Sequence, residues 1–411
     1  MKFYFPDAQD MIYPGYDFIN DEYPAHRVRQ RDDRYAHEVL DPVPYDGMLI
    51  SKAIIDGVGT AVGKYSQSQR DRLYRRGGKA FFRLKEGMDL LGDCGAFSYV
   101  KDDVPPVTVN EVLDFYEACG CDAGISIDHL ILDFESGASL FQGNPEWARR
   151  RRISLDLAAA FKEAAESRRS PVAPVGAAQG WSPESYADSV TELQDMGYRR
   201  IALGGMVPLK TNQILQTLEA VSAVLKPDIQ LHLLGVARPE AMEAFAEKGV
   251  TSFDTTSPFR QSFMDDRKNY HTADDYYVAI RVPQVDGNAR LKRRILAGEV
   301  NQQDAIRLEK ACLTQLRAFD AGDCSSRAAL ATVQEYEHLI DPGKRSYLTG
   351  YEKLLNDAPW KSCDCNLCQT HGVDIAIFRG TERNKRRGFH NIAVLSRKIP
   401  GHGTRQKEIN R

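Results

Sequence analysis

From about residue 45 the chain alternates short apolar runs with amphipathic stretches. The apolar runs are GMLISKAII (47–55), MDLL (88–91), GISI (124–127), VAPVGAA (172–178), RIAL (200–203), IQLHLL (229–234) and VTSF (250–253). Runs this short, bounded by turn residues, predict buried strands. The stretches between most of them carry helical periodicity and helix end signals. Thr108 and Glu111 have capping-box spacing, Ser182–Pro183 reads as an N-cap with a first-turn proline, and Gly197 and Gly249 close helices. Repeated βα units predict a parallel sheet, either doubly wound or closed as a TIM-like (β/α)8 barrel.

Two segments break the rhythm. Residues 1–44 are rich in aromatics, Asp, Arg and Pro with weak periodicity, which predicts an irregular N-terminal arm. Residues 289–340 are helical in pattern with no strand among them, which predicts a helical insertion. The expected organisation is therefore an arm over 1–44, a barrel core over 45–288, an insertion over 289–345 and a C-terminal subdomain over 346–411. That subdomain would carry the last barrel helix and a polar, basic tail that frays.

Composition narrows this picture. A chain of 411 residues with 42% hydrophobic and 27% charged residues suits one large barrel with additions. The net charge of −3 means that nucleic acid could be met only through local basic patches. No apolar run has signal-peptide or membrane-span length, which points to a cytoplasmic protein without a membrane partner. Three of the eight cysteines stand as C-x-C-x-x-C, so a metal site is expected rather than a disulfide framework.

Candidate chemistry gathers at strand ends, where a parallel barrel builds its site. MDLLG is followed by Asp93, GISI by Asp128, VGAA by Gln179, RIAL by Gly204 and Gly205, and VTSF by Asp254. Converging carboxylates equip glycosidic chemistry, one as nucleophile at the anomeric carbon and another as acid for the leaving group. Downstream, Cys363, Cys365 and Cys368 offer three thiolates, and either His371 or His390 could complete a closed tetrahedral set. A closed Cys3His set favours structural Zn2+ over catalytic zinc.

Together these features resemble the tRNA-guanine transglycosylase family. Its zinc signature, C-x-C-x-x-C followed at a distance by His-Asn, is matched by CDCNLC and FHNIAVL, and that match selects His390. The family's Asp-Ser-Gly-Gly/Ser-Phe/Tyr loop is matched by DCGAF (93–97), with Cys94 in place of serine. The resemblance implies a (β/α)8 barrel with a Cys3His zinc-binding subdomain. It implies Asp93 as general acid/base, Asp254 as nucleophile, and Asp128, Gln179, Gly204 and Gly205 as the guanine pocket. The long spacing from Asp254 to Cys363 and the N-terminal segment are similar to the DNA-acting branch, the DpdA proteins.

The activity so implied is exchange of guanine in DNA for a 7-deazaguanine such as preQ0, through a covalent aspartyl–nucleic acid intermediate. Exchange on tRNA, and a non-catalytic nucleic-acid-binding subunit, are the alternatives. The sequence contains no P-loop, so ATP-driven opening of a duplex would call for an accessory ATPase partner. Among cationic runs, including Arg75–Arg76, Arg149–Arg152 and Lys292–Arg294, the segment RNKRR is the expected phosphate contact through Arg383, Lys385, Arg386 and Arg387.

Overall fold

Every apolar run from residue 47 onward contributes a strand to one parallel sheet, and that sheet closes on itself. The computed structural model describes residues 1–140, 143–340 and 347–403. The barrel strands are β1 (Lys2–Pro6), β2 (Gly47–Ser51), β3 (Asp89–Asp93), β4 (Ala123–Ile125), β5 (Ala173–Ala178), β6 (Arg200–Leu203), β7 (Gln230–Leu233) and β8 (Val250–Asp254). Neighbours follow chain order, and β1 pairs with both β2 and β8 to complete the ring.

The closing strand lies inside the stretch expected to be irregular. KFYFP is short, ends in proline and is not followed by a helix of its own βα unit, so it lacks the repeat that marks the others. Tyr4 is in register with Gly47 on one side and Asp254 on the other. The run GMLISKAII divides after Ser51, where β2 gives way to a short helix over Lys52–Ile55.

The barrel interior is filled by alternate residues of the strands, as the two-residue period of a strand requires. Tyr4, Leu49, Leu91, Ala123, Ile125, Val175, Ala177 and Ala202 form one buried cluster. The helix ends follow the expected chemistry. Thr108 caps Val109–Cys119 in a capping box with Glu111, and Ser182 caps Pro183–Asp195 with Pro183 in the first turn. Tyr116 of the first of these helices donates to the Ile125 carbonyl at 2.8 Å. Its ring sits where side chains on Gly92 or Gly124 would collide with it, so two strand glycines let that helix lie close.

Contacts divide the chain into two units. The first comprises Met1–Gln9, Tyr45–Thr256 and the chain from Ser396 onward, and it holds the barrel. The second comprises Asp10–Pro44 and Ser257–Leu395. The arm beyond residue 9 therefore belongs with the helical and cysteine-bearing segments, and residues 257–288 group with these rather than with the barrel. The expected insertion consists of helices Ala289–Leu296, Gln302–Ala321 and Ser326–Ile340. Residues 341–345 of that insertion and the basic tail past residue 403 lie outside the described residues. No described helix is long and apolar enough to cross a membrane.

Candidate active site and metal centre

The strands deliver the polar residues to one rim of the barrel. Asp93 and Asp254 are the last residues of β3 and β8, Gln179 directly follows β5, Gly204 directly follows β6, and Asp128 lies just past β4. All five are therefore at the C-terminal ends of parallel strands, the end where such barrels build their sites.

Asp128 is buried and held on both oxygens. Gln179 Nε2 donates to Oδ2 at 2.5 Å, and the Cys94 thiol donates to Oδ1 at 3.6 Å. The Gln179 carbonyl oxygen accepts from the Ile131 N–H at 3.2 Å, which fixes the amide orientation. Cys94 is in turn 3.0 Å from the Tyr99 hydroxyl. Gly204 must be small, because a Cβ there would stand 2.1 Å from Gln179 Nε2. Gly205 has a φ of +70°, a left-handed conformation that favours glycine, and Tyr186 secures this turn by donating to the Gly204 carbonyl at 2.7 Å.

Two of the carboxyl groups are held well above the usual carboxylate range. Burial, followed by the charges of Asp128 and Asp254, pushes Asp93 up to about 7, against the opposing pull of the Gly95 and Cys94 N–H groups. Burial pushes Asp128 up to about 6, although hydrogen bonds from Gln179 and Cys94 favour its charged form. Asp93, Asp128 and Asp254 stand at the C-terminal ends of strands of one closed barrel, which is why the other two charges bear on Asp93. Asp254 is buried and accepts at Oδ1 from the Gly235 N–H at 2.9 Å and from His232 Nε2 at 3.2 Å. His232, Ser252, Tyr99 and Tyr186 are participants that the reading of strand ends missed. The signal for the first was a histidine inside the apolar run IQLHLL.

In the second unit, Cys363, Cys365, Cys368 and His390 bring their ligand atoms within 4.8 Å of one another. His390 Nδ1 is 3.6, 3.5 and 3.3 Å from the three sulfurs in that order. A tetrahedral ion with sulfur at about 2.3 Å and nitrogen at about 2.0 Å separates its ligands by roughly 3.5–3.8 Å, so the donor set fits a metal. His390 Nε2 is 2.7 Å from the His271 carbonyl, the bond that leaves Nδ1 facing the sulfurs. Tyr270 stacks on the imidazole at 4.4 Å, and Asn391 bonds the Pro258 and Asn269 carbonyls at 3.0 and 3.2 Å. The rival His371 stands apart, accepting from Arg386 at 3.2 Å.

The structure corrects the expectation for RNKRR. Arg383, Arg386 and Arg387 are buried, and their guanidinium groups are committed inside the second unit. Arg383 pairs with Asp374 at 2.9 Å and with Asp21, Arg386 pairs with Glu382, and Arg387 donates to the Ile377 and Ser262 carbonyls at 2.9 and 2.6 Å. Lys385 is 3.7 Å from Asp10. The segment ties down the unit's own N-terminal portion instead of facing phosphate. Arg149–Arg152 are likewise engaged by Glu146, Asp103, Asp188, Glu192 and Asp156, whereas Arg75, Arg76, Lys292 and Arg293 are exposed.

The family model described as TGT, queuine tRNA-ribosyltransferase, matches residues 59–295. A DNA-guanine transglycosylase of Salmonella montevideo is 48% identical over 404 residues, which is 97% of this chain and 96% of that protein. A queuine tRNA-ribosyltransferase of Gluconacetobacter diazotrophicus is 32% identical over 111 residues, 26% of this chain and 28% of that protein. With a family match over more than half of its length and a relative that similar from end to end, the chain belongs to the TGT family.

Proposed function

We propose that the protein is a DNA-guanine transglycosylase that exchanges guanine in DNA for a 7-deazaguanine such as preQ0. The observation that carries this reading is the trio of carboxyl groups at one barrel mouth, with Asp93 balanced near neutrality beside an anchored Asp254. The choice of DNA follows the relative that is similar over 97% of the chain. A base stacked in a duplex cannot be attacked in place, so the target guanine would be flipped out or offered single-stranded. Asp128, Gln179 and the backbone at Gly204 and Gly205 would receive its polar edges.

In the first half-reaction an Asp254 oxygen forms a bond to C1′ as the C1′–N9 bond breaks. The electron pair leaves on guanine, which takes a proton from Asp93. In the second, the incoming 7-deazaguanine gives its N9 proton to Asp93 and attacks C1′, and the pair returns to Asp254. Cys363, Cys365, Cys368 and His390 would hold structural zinc, whose contribution is to the fold of the second unit. Of the cationic runs considered, Arg75, Arg76, Lys292 and Arg293 are exposed and would be available to the phosphate backbone.

The direct test offers labelled guanine and labelled preQ0 to purified protein with single-stranded DNA, duplex DNA and tRNA. Label should enter DNA and not tRNA. Incorporation into tRNA alone would favour the alternative suggested by the family's description, and incorporation into neither would leave a binding subunit. Label in single-stranded DNA but not duplex would point to a partner, such as an ATPase, that opens the helix.

The carboxyl groups also set a pH profile. The acid form of Asp93 needed in the first half-reaction is present below about 7 and is lost as pH rises through that value. The anionic form of Asp128 that accepts guanine N–H groups is present above about 6 and is lost as pH falls. The kcat/KM of adduct formation should therefore peak between these values and fall on both sides. Asp93→Asn should flatten the alkaline limb and lower the rate on the order of 10²–10⁴-fold. A rate that keeps climbing well above neutrality in the unaltered protein would assign the proton donor elsewhere.

A further inference from the structure

We infer that His232, backed by Ser252, is a positioning residue that determines which oxygen of Asp254 attacks. The inference rests on the reading of Asp254 as nucleophile given above. Ser252 and Asp254 are two residues apart on β8 and so share a face. His232 on β7 is in register with Ser252 on one side and with Ala202 on the other, and Ala202 belongs to the barrel's apolar core. All three polar residues therefore lie in the barrel wall, with His232 at 3%, Ser252 at 5% and Asp254 at 6% exposure. A buried polar group at an inward strand position is costly unless it is bonded.

The bonds formed here run in one direction. A carboxylate can only accept, so His232 Nε2 carries the proton shared with Asp254 Oδ1 at 3.2 Å. In the neutral ring Nδ1 then accepts from the Ser252 hydroxyl at 2.9 Å, which holds that tautomer. The Gly235 N–H meets the same Oδ1 at 2.9 Å. Two donors, one on β7 and one in the turn that directly follows it, thus converge on one oxygen. Rotation about the Cβ–Cγ bond, which would exchange the oxygens, breaks both bonds at once.

Oδ2 is left as the atom that forms the bond to C1′ while the C1′–N9 pair departs on guanine. In the resulting ester Oδ1 is the carbonyl oxygen, still held by the same two donors. When the incoming base displaces the ester, those donors stabilise the carboxylate as it leaves. His232 touches neither base nor sugar in this scheme, and it acts through Asp254.

The test compares His232→Leu, His232→Gln, His232→Asn and Ser252→Ala with the unaltered protein and with Asp254→Asn, scoring kcat, KM for the incoming base and unfolding midpoint. Gln carries an N–H to the position of Nε2, whereas Asn reaches only that of Nδ1. Loss of a bond to a charged acceptor should lower kcat about 10- to 100-fold in His232→Leu and His232→Asn, with KM unchanged. His232→Gln should recover most of that loss, and Ser252→Ala should lose less in the same direction. A residue that only fills space would give the opposite order, with Leu active and Gln impaired, and that result overturns the inference. If His232→Leu does not fold, the Asn and Gln pair decides, because equal rates in these two also overturn it. An adduct formed by Asp254→Asn would instead remove the nucleophile reading, whatever the His232 variants do.

Discussion

Asp254→Asn should abolish the covalent adduct and lower base exchange on the order of 10⁴–10⁶-fold, the scale of losses when a nucleophile is removed. The substitution is conservative in shape. The Asn carbonyl oxygen can still accept from the Gly235 N–H and from His232 Nε2, the two partners of Oδ1. What is lost is the anionic second oxygen, and a neutral amide cannot open a glycosidic bond at a useful rate. The measurement is a denaturing gel of protein mixed with DNA in the absence of incoming base, followed by exchange kinetics. The unaltered protein should give a band shifted by the mass of the oligonucleotide, and the variant should give none. A shifted band in the variant would transfer the nucleophile's role to another residue, with Asp93 and Asp128 the first to examine, because they share the mouth. Unfolding midpoints within a degree or two of each other would show that chemistry, not folding, was removed.

Much of the barrel could be read from the chain because its strands are buried on both faces and its helices are amphipathic, so each unit repeats one signal. Seven strands carry that signal, and five of them are followed by the candidate residues that the structure brings to the rim. β1 did not carry it, since KFYFP stands outside the βα repeat and its place is decided by pairing with strands more than forty residues away at one edge and about 250 at the other. His232 was hidden for a related reason. Its partner Ser252 is adjacent only through strand register, which the sequence does not display. The RNKRR segment, in contrast, was legible and was read wrongly. Residues 383, 386 and 387 precede His390 by seven, four and three positions, so on the helix Gly380–Arg397 they share the face that a ligand histidine must turn inward. Charge suggested solvent, but helical period pointed to the interior, where carboxylates of Asp21, Asp374 and Glu382 meet Arg383 and Arg386, and the Ile377 and Ser262 carbonyls meet Arg387.

Stripping the ion from the Cys3His cluster should unfold the second unit. Cys365, Cys368 and His390 are 3%, 2% and 1% exposed, so without a metal two sulfurs and an imidazole remain packed out of water beside the partly exposed Cys363. Structural zinc, the ion we propose there, contributes about 10–16 kcal/mol of apparent binding free energy, as much as the whole stability of a typical domain at about 5–15 kcal/mol. The cluster also joins two stretches of chain that are distant in sequence, since Cys363–Cys368 meets the helix that carries His390 and the Tyr270–His271 segment through the stacked ring and the carbonyl bond. Chelation, or Cys365→Ser, should therefore remove amide-exchange protection across residues 257–395 and restore it when zinc is returned to the chelated protein. Asp93, Asp128 and Asp254 belong to the other unit, so the ion is expected to affect base exchange only through folding. Unchanged protection in metal-free protein would contradict a structural role. Loss of base exchange with protection intact would assign the ion to the chemistry instead.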